Sequence, residues 1–134
     1  YNHNADTTMI KYLLVLLLWS NTADAICLKP TAKDGMIADT ATTIVGVHGF
    51  GLVETNPLGF VGITVLKAVA LAYTEDLPKE KQQDFNNKAG AFWSGAAVNN
   101  VMVILGAATP VAIIIGVISG IVFYNMPPCE ENDD

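Results

Sequence analysis

Beyond residue 35 the chain alternates long apolar runs with short polar breaks, and the breaks carry residues that stop and start helices. The first run, 36–53, ends at Glu54-Thr55-Asn56-Pro57, where Asn56 offers an N-cap and Pro57 takes the first helical position, at which a missing N–H costs nothing. A second helix is predicted over 57–73, closing at the charged, amide-rich stretch 75–88, which reads as a loop in water. From 89 to 124 the apolar stretch is too long for one bilayer crossing at about 1.5 Å per residue. Gly106-Ala107-Ala108-Thr109-Pro110 is the place to divide it, into helices over 89–105 and 110–124. One kinked helix is the alternative, and it would leave apolar surface in water with no charged residue between Lys88 and Glu130.

The start of the chain has the three parts of a signal peptide. Met9-Ile10-Lys11 gives a charged start, residues 12–19 an apolar core, and Ser20 onward a polar exit with Ala23 and Ala25 in the small, spaced-by-two pattern that a signal peptidase reads. A spanning helix is the competing reading, but the apolar run stops at Trp19, short of the roughly 20 residues a crossing needs. Residues 1–8 are polar and read as upstream sequence, and 26–134 as a single domain ending in an acidic tail, 129–134.

Composition turns this pattern into a fold class. With 51% hydrophobic residues, 15% charged and a mean hydropathy of +0.39, the chain carries little polar surface for a globule in water. The expectation is an all-α protein: an integral membrane four-helix bundle behind an N-terminal signal peptide, with the lipid bilayer as its first partner. The net charge of -6 comes from seven lysines, no arginine and thirteen carboxylates, which excludes a basic footprint for nucleic acid.

Two short turns and one longer loop make the expected bundle up-down, so both ends of the domain and the loop 75–88 share one face. Cys27 and Cys129 fall on that face, where either a disulfide or two free thiols fits. Its orientation is contested by the sequence itself. A cleaved signal peptide places that face outside, whereas Lys29, Lys33, Lys79, Lys81 and Lys88 on it argue for the cytoplasm.

Small residues recur at helix-packing spacing, with Gly116 and Gly120 on the last helix and Ala91 and Gly95 on the third. Such stripes serve self-association or packing within one bundle. Polar residues within the apolar runs carry the candidate chemistry: Asp39 and Thr43 on one stripe of the first helix, Lys67 in the second, Asn99 and Asn100 in the third. An Asp39–Lys67 ion pair, satisfied by one of the two asparagines, is the expected arrangement. It reads either as a polar clasp that sets helix register or as part of an ion or proton path. His48 lies on the other face of its helix from Asp39, so no metal site is expected between them, and no metal or cofactor motif occurs.

The set Asp39-Thr40-Ala41-Thr42-Thr43, then Gly51-Leu52-Val53-Glu54-Thr55-Asn56-Pro57, then Lys67 resembles an uncharacterised family of small polytopic bacterial and phage membrane proteins. Members of that family carry an Asp and paired Thr on the first helix, a Gly-x-x-Glu-x-Asn-Pro turn and a lysine on the second. The resemblance covers about 37–67 and implies a shared bundle and turn, with Glu54, Asn56 and Pro57 as the turn residues; it implies no activity, and an inner membrane is the expected location.

No catalytic motif is present. The leading functional reading is therefore a non-enzymatic protein acting by self-assembly or as an accessory subunit of a membrane complex. An ion-conducting or holin-like pore former is the alternative. An intramembrane hydrolase is the third, and it would need Ser94 and His48 within hydrogen-bond reach.

Overall fold

Thr31 starts the first helix by exchanging hydrogen bonds with Asp34. The Thr31 hydroxyl accepts from the Asp34 N–H at 3.2 Å, and the Asp34 carboxylate accepts from the Thr31 N–H at 3.0 Å. This reciprocal cap satisfies two donors that a helix start leaves bare. It places the beginning of α1 (Ala32–Ile44) four residues ahead of the apolar run at 36. The computed structural model describes residues 28–53 and 57–127. The signal-peptide segment 9–25, residues 1–8, Cys27, Glu54, Asn56, Cys129 and the acidic tail lie outside the described residues.

α1 widens into a single π-turn, Val45–Gly49, and stops there rather than at 53. Its end is closed by the Leu52 N–H, which reaches back to the Gly46 carbonyl at 3.0 Å around Gly51, whose φ of 68° costs glycine nothing. The second helix, α2 (Gly59–Glu75), begins two residues after Pro57, so Pro57 belongs to the turn and not to the first helical position.

The segment read as a loop is largely helical. After a short link, α3 (Lys79–Ile104) begins ten residues earlier than expected. The Gln82 side-chain amide donates to the Glu75 carbonyl at 3.0 Å and to the Leu77 carbonyl at 2.7 Å, so one side chain satisfies the bare end of α2 from the first turn of α3. Asp84 accepts from Lys88 at 2.7 Å, an i,i+4 pair of the kind that supports a solvated helix. Charge density here marks a helix in water. α3 ends in a Schellman motif around Gly106, with the Ala107 N–H on the Met102 carbonyl and the Gly106 N–H on the Val103 carbonyl, both at 2.9 Å. The last helix is α4 (Thr109–Asn125), with Pro110 in its first turn.

The described residues thus form an all-helical bundle of four helices without strands, and α3 is its centre. α1 runs parallel to α3: Gly35 lies over Gly90 and Ser94 at one end, and Gly46 over Ile104 at the other. α4 runs antiparallel along a second side of α3, with Gly95 against Gly116 and Gly120. α2 leans mainly on α1, only slightly on α3, and does not touch α4.

These contacts are backbone on backbone. A Cβ on Gly90 would sit 2.3 Å from the Pro30 carbonyl oxygen, and one on Gly95 2.6 Å from that of Gly116. The buried apolar side chains among the described residues are all alanine: Ala32, Ala91, Ala97 and Ala112. None of the large side chains is fully buried. Close packing of small residues holds the helices together, and the Val, Ile, Leu and aromatic side chains of α2 and α4 stay largely outside.

One expectation is corrected here: no helix among the described residues is long and apolar enough to cross a membrane. α2 and α4 each have 17 residues, about 25 Å of helix against a hydrocarbon layer of about 30 Å. α3 has 26, but Lys79, Glu80, Lys81, Asp84 and Lys88 occupy its first ten positions. The apolar runs were read as crossings because short elements and dense apolar composition look alike in sequence. This finding contradicts the inner-membrane location, which rested on those runs as crossings.

Candidate functional site

Three helices deliver one polar group each to a common point. Asp39 stands on α1, Lys67 at the midpoint of α2, and Asn100 near the end of α3. Lys67 donates to Asp39 Oδ2, and Asn100 Nδ2 donates to Asp39 Oδ1 at 2.9 Å, so each carboxylate oxygen takes a donor from a different helix. The same Asn100 amide lies 3.1 Å from Thr43 Oγ1 and 3.3 Å from Thr42 Oγ1. The Thr42 hydroxyl spends its own proton on the α1 backbone, at 2.9 Å from the Ala38 carbonyl, which leaves its oxygen to accept. Trp93 covers the pair from α3, with the Lys67 ammonium 5.6 Å from the ring centroid, and Phe85 holds the indole edge-on at 6.1 Å.

The ion pair is sheltered: the side chains of Lys67 and Asp39 are 7% and 13% exposed. Desolvating two charges is expensive, and their attraction offsets it only when the remaining hydrogen-bonding positions are filled. Here Asn100 takes the second carboxylate oxygen and the indole face lies over the ammonium. Removing one partner strands the other, at a cost of about 3–5 kcal/mol, whereas replacing both by apolar groups is close to neutral. The energetic content of the pair is therefore specificity. It selects one rotation of α2 against α1, since only that rotation gives Lys67 its acceptor.

Asn99 takes no part in this clasp. Its Cβ packs on α4, where a Cβ on Gly116 would meet it at 2.8 Å. Its amide reaches Asn100 Oδ1 at 3.4 Å, while its own carbonyl oxygen is buried without a hydrogen-bond partner. Asn99 and Asn100, with Thr42, Thr43, Leu52 and Thr109, line a cavity of about 290 Å³ between the far ends of α1 and α3 and the start of α4. A longer open groove of about 490 Å³ runs between α3 and α4.

The remaining sequence candidates are placed as follows. Asp39, Thr43, Lys67 and Asn100 meet in the clasp, and Asn99 is diverted to α4. Ala91, Gly95, Gly116 and Gly120 all lie in the α3–α4 contact of one chain. Thr42, one of the paired threonines that follow Asp39, belongs to the clasp, and so does Trp93, which the sequence marks only as an aromatic residue among small ones on α3. His48 is exposed and packs edge-on against Phe60 at 6.0 Å, whereas Ser94 is buried beneath Gly35, thirteen residues or about 20 Å back along α1. The two are not brought together, and the hydrolase reading loses its geometry.

Among the described residues no three of His, Cys, Asp and Glu gather as metal ligands. Outside the clasp, the Asp84 carboxylate holds the exposed Lys88 ammonium above its ordinary pKa by hydrogen bonding and charge. No protein family, curated protein or solved structure compared with this chain matches it.

Proposed function

We propose that this protein acts non-enzymatically, by assembling with further copies of itself through the apolar faces of α2 and α4. One observation carries the reading. The buried apolar side chains among the described residues are alanines, while large apolar side chains stand exposed in rows on both outer helices, Val65 at 57% and Val69 at 59% among them. A contiguous apolar surface of that kind marks an interaction site. The groups with chemistry in them are engaged in holding the fold: Asp39, Lys67 and Asn100 satisfy one another across three helices. Rigid helices with an uncharged exterior are suited to repeated contact, because little side-chain entropy is lost when Val and Ile become buried.

The test is the mass of the full chain in solution, by sedimentation equilibrium across a hundredfold range of concentration. Association that strengthens with concentration supports the proposal. A single monomeric species throughout removes it. A pore-forming role would need helices that cross a bilayer, which none of the described helices is long and apolar enough to do.

A further inference from the structure

We propose that the outward stripe of α2, formed by Val61, Val65, Val69 and Tyr73, seats in the α3–α4 groove of a second copy. This rests on the self-assembly reading and names its contact. The stripe follows from the clasp. At about 100° per residue, a helix that points Lys67 inward carries Val65 and Val69 each about 160° round from it, directly away from the bundle. The Asp39–Lys67 pair thus holds an uncharged face outward, and all four of its residues are more than half exposed.

The groove supplies a counterpart of matching length and character. Its walls are mostly apolar, with Phe92 on α3 and Ile113, Val117, Ile121 and Tyr124 on α4, its floor is glycine, at Gly95, Gly116 and Gly120, and Asn99 is the amide in its lining. From Ile113 to Tyr124 it runs about 17 Å, and the stripe from Val61 to Tyr73 about 18 Å. Within one chain α2 and α4 do not touch, so the stripe cannot fill its own groove.

Area sets the strength of the contact. With roughly 150–200 Å² of surface for a fully exposed apolar side chain, the exposed parts of these stripe and groove side chains come to at most about 800–1,060 Å², below the roughly 1,200 Å² of a stable interface, so a single contact is weak and needs concentration. Because the two surfaces differ, every copy has one of each. The contact is head to tail, each inner copy makes it twice, and the product is a ring or a filament rather than a closed two-fold dimer.

The experiment uses the full chain with Cys27→Ser and Cys129→Ser. One preparation carries Val65→Cys and the other Val117→Cys, and they are mixed with a short bismaleimide. A second arm measures the assembly of Val65→Lys/Val69→Lys, with Ile114→Lys/Ile118→Lys on the far side of α4 as the comparison and helicity by circular dichroism as the check on folding. The expected result is a covalent product of two chains on mixing, a loss of association of at least a hundredfold in the α2 variant, and less than a threefold change in the α4 variant. If the parent chain is monomeric at every concentration, the self-assembly reading falls and this inference with it. If the parent assembles but the mixture does not cross-link and the α2 variant assembles normally, self-assembly stands and this contact is wrong. If the chain floats as a monomer with phosphatidylcholine–phosphatidylglycerol vesicles and the vesicles shield Val65→Cys from maleimide, lipid covers the stripe and the contact is likewise overturned.

Discussion

Asn99 and Asn100 are neighbours in sequence that serve opposite sides of α3. Asn100 donates to Asp39 at 2.9 Å on the α1 side, while Asn99 packs against Gly116 of α4 with its side-chain carbonyl buried and unpartnered. The α-helix dictates the split, because adjacent residues diverge by about 100°. The same residue type is therefore an asset at one position and a burden at the next.

That contrast is measurable. Asn100→Leu removes a hydrogen bond to a charged group and is expected to destabilise the chain by about 1.5–3 kcal/mol. Asn99→Leu removes a buried acceptor without a partner together with one long hydrogen bond to Asn100, so it should change stability by less than about 1 kcal/mol. Chemical denaturation of the two single variants gives the order directly, and equal losses would contradict the assignment of Asn100 to the clasp.

The Asp39–Lys67 pair predicts a strongly non-additive cycle. Asp39→Leu or Lys67→Met alone should cost about 3–5 kcal/mol, because each leaves one sheltered charge without its partner. The double variant should lie within about 1 kcal/mol of the parent. Additive losses would mean that the two side chains act separately.

Glycines in the α3 contacts respond to backbone geometry, not to helix propensity. Gly95→Ala would push a methyl to within 2.6 Å of the Gly116 carbonyl oxygen, so the α3–α4 contact must open, at a cost of about 1–3 kcal/mol despite the better helix former. Gly62→Ala on α2 meets only the Leu58 Cβ, at 3.2 Å. It should change stability by less than about 1 kcal/mol in either direction. Thermal melts of both variants give the comparison, and a Gly95→Ala chain as stable as its parent would show that the helices do not approach as closely as described.

The Asp84–Lys88 pair predicts a raised lysine titration. Asp84 raises the Lys88 pKa in the folded chain, so the small stability this exposed pair contributes is fully present below the unfolded value of 10.5 and is lost as pH rises through the folded value. The Lys88 ammonium, followed by NMR, should titrate above an unpaired lysine, and Asp84→Asn should bring it down. An identical profile in Asp84→Asn would assign the change to other groups.

Several of these features can be read from the chain, and others cannot, for identifiable reasons. Four apolar runs, separated at 54–57, at 75–88 and at Gly106-Ala107-Ala108-Thr109-Pro110, point to an all-α chain, and at the last of these the positive φ of Gly106 ends one helix and Pro110 opens the next. The residues of the clasp also stand out, since a carboxylate and a lysine in apolar surroundings need a partner. The start of α3 does not stand out. Residues 75–88 have the composition of a loop, yet most of them are helical; the i,i+4 pairing of Asp84 with Lys88 supports that helix and the Gln82 amide ties its first turn to the end of α2, and both depend on spacing and not on composition. The bilayer assignment failed on length. Runs of apolar residues signal burial without stating what buries them, and 17-residue helices fall short of a crossing.

The central claim is that the outward row of α2 and the groove-facing row of α4, from Ile113 to Tyr124, are covered by further copies of this chain. Sedimentation velocity of the full chain, run beside Val65→Lys/Val69→Lys over the same concentrations, tests it most directly. The account predicts a parent boundary that moves faster as concentration rises and a variant that sediments as a folded monomer. A parent that sediments as a monomer at every concentration would contradict it.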